Sequence, residues 1–168
     1  NTTVIDSMTA ALDRAGFNVM PLYVTSLKDP VAAETTRAML AEAAPSVILN
    51  GTGFALSNPG ENRRDTPFDD SDCPILQTVF SGGDFESWRK GTRGLSARDI
   101  AMNVALPEVD GRILSRAVSF KEPASRDTAV EADIVTYRSV PDRIQFVAEL
   151  AANWARLRKT PPAERRVG

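Results

Sequence analysis

The chain has 168 residues, of which 42% are hydrophobic and 25% are charged, a composition typical of a single globular domain. Its 20 basic and 22 acidic residues leave a net charge of −2, so no charge excess indicates a nucleic-acid or anionic-membrane surface. The sequence contains no histidine and one cysteine, which excludes a Ser-His-Asp triad, a histidine-ligated metal site, an internal disulfide and a multi-cysteine metal site. No run of roughly 18 apolar residues predicts a membrane span, and no signal peptide is recognised, so a cytoplasmic location is expected.

Predicted helices and strands alternate along the first part of the chain. Apolar residues at helical spacing predict a first helix that ends at Gly16, and the apolar run Phe17–Val24 is predicted to be a strand. A second helix is predicted from Pro30 to Ala44, with Asp29 as its cap. The short apolar run Ser46–Asn50 is predicted to be a buried strand.

The rest of the chain continues with elements whose ends are marked by capping residues, glycine or proline. They are, in order, a strand at Pro74–Phe80 that ends at Gly82-Gly83, a helix at Phe85–Lys90 capped by Asp84, a helix capped by Ser96 and Asp99 that stops at Pro107, extended segments at Ile113–Phe120 and Ile134–Tyr137, and a long helix from Pro141. The intervening stretch Gly51–Asp72 is predicted to be a loop, either a plain surface excursion or a ligand-facing lid.

Short apolar strands that alternate with helices predict a three-layer, doubly wound α/β fold with a mostly parallel sheet of flavodoxin- or Rossmann-like form. We expect Val19–Val24, Val47–Asn50 and Ile75–Phe80 to be neighbouring or near-neighbouring strands. Such a domain normally begins with a strand, whereas this chain begins with a helix, so we expect it to be cut from a longer chain and to lack its first strand. Residues 1–160 are expected to form one domain of a larger subunit, and 161–168 a proline-rich linker.

Polar and small residues follow the predicted strands, where ligands of open parallel sheets bind. They lie at Thr25–Asp29, Asn50–Gly53, Ser81–Gly83 and Arg116–Glu122. The glycines of the second and third segments would let backbone N–H groups approach an anion closely, although each segment is also typical of a turn. Neither matches G-x-x-x-x-G-K-[ST] or G-x-G-x-x-G, so nucleotide binding through those motifs is not predicted.

The densest group of charged residues surrounds a predicted turn at Asp110-Gly111. It comprises Glu108, Asp110, Arg112, Arg116 and Lys121. One interpretation is a solvated turn that leads into an edge strand, with surface ion pairs worth roughly 0–1 kcal/mol each. The other interpretation is a functional site.

Residues 106–121 resemble the large subunit of aerobic cobaltochelatases, the CobN type. The most specific part of the resemblance is Leu-Pro-Glu-Val-Asp-Gly-Arg at 106–112, and similar stretches lie at 23–30, 47–55, 74–77 and 94–108. The related magnesium chelatase large subunit shares Leu-Pro-Glu-x-Asp-Gly, but it typically continues with a second Gly and then Met-Glu-Pro. This chain has Arg112-Ile113-Leu114 there, which favours the cobalt branch.

The resemblance implies ATP-dependent insertion of Co²⁺ into hydrogenobyrinic acid a,c-diamide in cobalamin biosynthesis. The large subunit would hold the tetrapyrrole and the metal, both as substrates, while separate AAA-type ATPase subunits would bind ATP and Mg²⁺. This chain would then be a fragment of a metal chelatase, a ligase that forms nitrogen–metal bonds. The isolated fragment would be inactive, because it has no phosphate-binding loop and ATP hydrolysis would take place on the partner subunits. The alternatives are a domain of the magnesium chelatase and a non-catalytic α/β module with a structural or small-ligand-binding role.

Under this resemblance, polar residues take candidate roles in metal insertion. The reaction removes water from the metal and protons from the ring nitrogens, and a carboxylate can act as metal ligand and as proton acceptor. Arginine forks bind the carboxylates at the edge of the substrate, and side-chain amides can meet its amides. The candidates are Glu108 and Asp110 for catalysis, and Asn50, Gln77, Arg112, Arg116 and Lys121 for substrate binding. If both carboxylates face one cleft, each would raise the pKa of the other.

Overall fold

A computed structural model of the protein describes residues 2–58, 60, 62, 65–127 and 132–166. Its elements within these ranges are α1 (Thr2–Arg14), α2 (Pro30–Ala43), β1 (Ile48–Asn50), β2 (Ile75–Asp84), α3 (Phe85–Lys90), α4 (Ala97–Ile100), α5 (Leu106–Val109), β3 (Ile113–Asp127), β4 (Ala132–Ser139) and α6 (Pro141–Lys159). A π-helix, Ala101–Ala105, joins α4 to α5, and we call the continuous helical stretch the 97–109 segment. None of the helices in the described ranges has the length and apolar character needed to cross a membrane.

Helix boundaries follow the capping residues in the sequence. Asp29 accepts a hydrogen bond of 2.8 Å from the N–H of Ala32 at the start of α2. Asp84 and Ser96 cap α3 and α4 in the same way, with distances of 2.7 and 3.1 Å to backbone N–H groups. After α1, Gly16 has a φ of 88°, a left-handed conformation that favours glycine. The predicted starts of α2, α3 and α4 and the predicted stop after α1 are confirmed, because each depends on residues only a few positions apart.

The strands form one sheet in the order β1-β2-β3-β4. β1 pairs with β2 in parallel, with Asn50 opposite Gln77, and β2 pairs with β3 in parallel, with Leu76 opposite Ile113. β4 runs antiparallel to β3. The predicted α/β fold with a mostly parallel sheet is confirmed, whereas its flavodoxin- or Rossmann-like form stays a prediction.

Helices cover both faces of the sheet. Val118 of β3 belongs to a hydrophobic cluster that includes Val4 of α1 and Val147 of α6. The preceding residue, Ala117, belongs to a second cluster with Phe85 of α3. Because successive side chains of a strand point to opposite faces, α1 and α6 lie on one face and α3 on the other.

A third cluster joins α2 to the edge of the sheet. It contains Leu40 of α2 with Leu27 and Phe68, and Ile48 of β1 and Ile75 of β2 pack against it. The neighbouring residues in these two strands, Leu49 and Leu76, contact the first cluster. α2 therefore lies on the face opposite α1 and α6, which completes the three layers that the sequence predicts.

The predicted strand at Val19–Val24 is wrong. Within the described residues this segment forms no strand, although its alternating side chains Phe17 and Val19 do pack against the first cluster. Pro21 has no N–H to donate to a sheet, and Tyr23 is 91% exposed.

Two predicted boundaries also differ in the structure. β2 continues through Gly82 and Gly83 to Asp84, with irregular pairing to β3 after Phe80. These glycines therefore do not end the strand.

Pro107 does not end the helix, because a change of hydrogen-bond register precedes it. The N–H of Leu106 bonds to the carbonyl of Ala101, five residues earlier. In this register the carbonyl of Met102 would accept from residue 107, but proline has no N–H. Instead, the N–H of Phe54 donates to this carbonyl at 2.7 Å. Proline thus releases a carbonyl that attaches a distant loop to the helix.

Candidate functional site

Three side chains converge on the backbone carbonyl of Thr52, just after β1. The amide nitrogens of Asn50 and Gln77 lie 3.1 and 3.0 Å from this oxygen, and Nη1 of Arg112 lies 3.2 Å from it. Asn50 Nδ2 also donates to Gln77 Oε1 at 2.7 Å, since the two residues are opposite each other in the parallel pairing of β1 and β2. These bonds fold the chain that leaves β1 back over the sheet.

Asp110 and Arg112 form a buried ion pair beside this carbonyl. Their side chains are 0% and 1% exposed, and Asp110 Oδ2 lies 3.1 Å from Arg112 Nη2. Asp110 also accepts hydrogen bonds from the N–H groups of Leu56 and Ser57, at 2.7 and 3.1 Å. Burial lowers the pKa of Arg112, and the charge of Asp110 opposes this shift. We call this set the Thr52 network: Asn50, Thr52, Gln77, Asp110 and Arg112.

Two glycines let the loop at 51–57 lie close to its neighbours. A Cβ atom at Gly51 would overlap the ring of Phe80, and a Cβ at Gly53 would lie 2.9 Å from Oδ1 of Asn103. A side chain at either position would require Phe80 or Asn103 to move, or the loop to shift away from them. The 51–57 loop is therefore packed against both.

Phe54, between these anchors, has an unusual backbone conformation. Its φ is 61°, in the left-handed region, and its side chain is largely in water, with 53% of the residue exposed. A bulky residue in this region is strained by about 1–3 kcal/mol. The hydrogen bonds on both sides of Phe54 stabilise this conformation.

A second buried carboxylate, Asp99, lies beside the carboxyl end of β2. It is 5% exposed and accepts hydrogen bonds from the hydroxyl of Ser81 at 2.7 Å and the N–H of Gly82 at 3.0 Å. The Ser96 hydroxyl and the Asn103 amide donate to it at 3.1 and 3.3 Å. This cluster attaches the start of the 97–109 segment to β2.

The structure brings together part of the predicted site. Asn50, Gln77, Asp110 and Arg112 meet in the Thr52 network, where they contact one another and the 51–57 loop. The guanidinium of Arg112 also lies 5.8 Å from the centre of the Phe68 ring. The remaining candidates, Glu108, Arg116 and Lys121, contribute no contact that we observe to this network.

Glu108 and Asp110 lie in different environments. A turn follows α5, in which the N–H of Gly111 donates to the carbonyl of Glu108 at 2.9 Å and Gly111 has a φ of 77°. This turn directs Asp110 into the protein, whereas Glu108 is exposed. The geometry therefore gives no support to the expectation that the two carboxylates share a cleft and raise each other's pKa.

Arg116 and Lys121 lie along β3, away from the Thr52 network. The guanidinium of Arg116 lies 3.5 Å from the centre of the Phe146 ring of α6, a cation–π contact. Burial lowers the pKa of the neighbouring Arg143, and the charge of Arg116 lowers it further. Lys121 is exposed and lies opposite Asp84 in the sheet.

Three features of this region were not predicted. The carbonyl of Thr52 is a backbone acceptor, so no residue type marks it. Asp99 was interpreted only as a helix cap, because its contact with Ser81 depends on how the 97–109 segment packs. The left-handed conformation of Phe54 has no signal in the sequence, since this region favours glycine or asparagine.

The described residues contain no group of three or more His, Cys, Asp or Glu side chains that could hold a metal ion. Two surface depressions, of about 300 and 360 Å³, both include Arg158 near the end of α6. Cys73 lines the second, and burial raises the pKa of its thiol. Neither depression includes Glu108 or a residue of the Thr52 network.

A family model and several known proteins are similar to this chain. A family model described as CobN/Magnesium Chelatase matches residues 1–168. The aerobic cobaltochelatase subunit CobN of Sinorhizobium sp is 48% identical over 166 residues, and that of Pseudomonas aeruginosa is 41% identical over 167 residues. The solved catalytic subunit of cobaltochelatase from Mycobacterium tuberculosis matches with a TM-score of 0.80 and 29% identity.

Each of these similarities covers nearly the whole chain but a small part of the relative. The two CobN alignments cover 99% of this chain and 13% of each relative, and the structural match covers 99% of this chain and 14% of the other. The chain therefore belongs to the CobN/magnesium chelatase family.

Proposed function

We propose that this chain is a domain of the tetrapyrrole- and metal-binding large subunit of an ATP-dependent cobaltochelatase. The enzyme would insert Co²⁺ into hydrogenobyrinic acid a,c-diamide in cobalamin biosynthesis, in the cytoplasm. The observation that carries this proposal is 48% identity, over 99% of the chain, to a subunit named for aerobic cobalt chelation. ATP and Mg²⁺ would be bound by separate AAA-type ATPase subunits. Residues 1–160 would form the domain, and 161–168 would lead to the rest of the subunit.

The burial of the Thr52 network supports a scaffolding role for its members. Asp110 and Arg112 are closed off from water, and so are the amides of Asn50 and Gln77, which are 6% and 1% exposed as residues. A group that binds a metal or a substrate carboxylate must be reachable. We therefore propose that this network shapes the 51–57 loop and does not itself contact the tetrapyrrole.

Glu108 is the stronger candidate for chemistry, because it is exposed where Asp110 is not. An exposed carboxylate can replace a water molecule on incoming Co²⁺, and it can accept a proton from a ring nitrogen. Both actions lower the barrier to insertion, since the metal must lose water and the ring must lose protons. Exposed Lys121 and half-buried Arg116 remain candidates for the peripheral carboxylates of the substrate.

The proposed function is tested with Glu108→Gln in a full-length large subunit that carries this sequence, assembled with its ATPase partners. The substitution keeps the size of the side chain and removes its charge. We expect cobalt insertion to fall by about 10²-fold, the usual scale for loss of a general base, with tetrapyrrole binding nearly unchanged. Glu42→Gln, at an exposed glutamate of α2, is the matched control.

Two outcomes would contradict this assignment. A wild-type assembly that neither binds the tetrapyrrole nor inserts cobalt would refute the proposed function. A folded Glu108→Gln variant that inserts cobalt at the normal rate would show that Glu108 has no catalytic role.

A second candidate function is that of a non-catalytic module, which the burial of the Thr52 network favours. In that case the active site lies elsewhere in the large subunit, and no exposed residue of this chain would affect insertion. The magnesium branch is a further alternative, because the matched family model includes both branches. Measuring Co²⁺ and Mg²⁺ insertion by the same assembly, with the appropriate tetrapyrrole, separates these two metals.

A further inference from the structure

Phe54 is an exposed aromatic residue that folding alone does not explain. Among the described residues its ring belongs to none of the three hydrophobic clusters, and 53% of the residue is in contact with solvent. Its φ of 61° strains the backbone, whereas glycine would adopt the same conformation without strain. A residue that costs stability and adds little to the core requires another reason.

Contacts on both sides hold Phe54 in this conformation. Its own N–H donates to the carbonyl of Met102 at 2.7 Å. Two residues before it, the carbonyl of Thr52 accepts from three buried side chains, and after it the N–H groups of Leu56 and Ser57 bind Asp110. The loop therefore presents the ring from a rigid backbone.

Phe54 lies beside the segment that carries Glu108. Its partner Met102 is six positions before Glu108 in the same helical segment. Further along the same loop, Leu56 binds Asp110, two positions after Glu108. The 51–57 loop thus runs alongside the 97–109 segment, which carries the exposed Glu108.

We propose that Phe54 is a substrate-binding residue whose ring packs against the face of the tetrapyrrole, which places the ring nitrogens near Glu108. This inference rests on the proposed function. An aromatic side chain suits a broad, conjugated and largely apolar ring face, because it buries a large area and stacks favourably. A loop that is rigid before binding loses little conformational entropy when the substrate arrives.

The proposal is tested in the full-length large subunit with hydrogenobyrinic acid a,c-diamide as the probe, by absorbance and fluorescence titration. Phe54→Gly removes the ring and relieves the strained φ, and Phe54→Tyr keeps the ring. We expect the glycine variant to bind the tetrapyrrole about tenfold more weakly, which is within the range for one aromatic contact. With the ATPase partners present, KM should rise by a similar factor while kcat changes little, and the tyrosine variant should restore both.

Stability provides the readout that separates binding from scaffolding. Phe54→Gly should leave the melting temperature unchanged or raise it, because glycine tolerates a positive φ. Tyr23→Gly removes another exposed aromatic residue, which lies outside the 51–57 loop, and should not alter tetrapyrrole affinity.

Normal tetrapyrrole affinity in a folded Phe54→Gly subunit would overturn the proposal. A lower melting temperature with normal affinity would also overturn it, since Phe54 would then pack against another part of the large subunit. If the wild type binds the tetrapyrrole and Glu108→Gln impairs insertion, either result refutes only the role of Phe54. If the wild type fails to bind the tetrapyrrole, the proposed function and this inference fail together.

Discussion

The ion pair between Asp110 and Arg112 is almost completely removed from water, and this determines what each residue contributes. Taking two charges out of water costs free energy that their attraction alone rarely recovers. Further hydrogen bonds stabilise the pair. Asp110 accepts hydrogen bonds from the N–H groups of Leu56 and Ser57, and Arg112 donates one to the carbonyl of Thr52. These hydrogen bonds fix the path of the 51–57 loop.

Replacing Asp110 by asparagine should therefore destabilise the protein. The variant leaves Arg112 charged and buried without a counter-ion. The NH₂ group of the new asparagine can also face the N–H donors of Leu56 and Ser57, where no hydrogen bond forms. We expect the free energy of unfolding to fall by about 3–5 kcal/mol, measured by urea unfolding. Glu122→Gln breaks an exposed pair with Arg138, at 2.9 Å, and should cost only about 0–1 kcal/mol. Equal losses in the two variants would contradict this account of burial.

Helix ends and helix irregularities connect the elements of this fold. The short helix α3 follows directly from β2, and Asp84 both ends the strand and caps the helix. In the 97–109 segment, the π-helix and Pro107 together leave the carbonyl of Met102 free for Phe54. The first junction changes the direction of the chain, and the second changes the hydrogen-bond partner of a helix carbonyl. Neither requires a long connecting loop.

The cap of α3 should make stability depend on pH at the acidic end. The hydrogen bond from the N–H of Ser87 lowers the pKa of Asp84 below its ordinary value of 3.8. A carboxylate with a lowered folded-state pKa stabilises the fold above its unfolded pKa, and this contribution is lost as the pH falls through the folded-state value. Asp84→Asn still caps the helix but does not titrate. In urea unfolding between about pH 6 and pH 2, wild type should lose more stability than the variant, and parallel pH profiles would refute the assignment.

In the molecule as a whole, different helices cover the two faces of one central sheet. α1 and α6 pack on one face around Leu76 and Val118, while α2 and α3 cover the other face. The 51–57 loop and the 97–109 segment meet beside the latter helices, where Leu56 contacts the third cluster. The candidate site is therefore built on connections between layers, and the sheet supplies its rigid support.

Leu76 tests this arrangement, because it is 0% exposed in the middle of the first cluster. Leu76→Ala should lower the free energy of unfolding by about 2–5 kcal/mol, through lost burial and the cavity that remains. Leu157→Ala, at a residue of α6 that is 41% exposed, should change it by no more than about 0.5 kcal/mol. Guanidinium unfolding of both variants measures the difference, and a small effect at Leu76 would show that the core lies elsewhere.

Features that depend on residues close together in the chain could be predicted from the sequence. The caps at Asp29, Asp84 and Ser96 and the stop at Gly16 are confirmed, since each involves a hydrogen bond or a φ angle within a few residues. The parallel pairing of β1 with β2 and the family were also predicted correctly. Short apolar runs between helices indicate buried parallel strands, and the Leu-Pro-Glu-Val-Asp-Gly-Arg run is distinctive.

Features that depend on partners far away in the chain could not be predicted from the sequence. Val19–Val24 has the apolar alternation of a strand, yet a strand exists only where a neighbour pairs with it. The helix continues through Pro107 in a π-helical register, and the carbonyl that proline leaves free accepts a hydrogen bond from Phe54 of a distant loop. Asp110 and Glu108 are equally acidic in the sequence, but one is buried under the 51–57 loop and the other faces solvent. Burial and hydrogen-bond partners across the fold, which residue type does not encode, separate a scaffold residue from a candidate for chemistry.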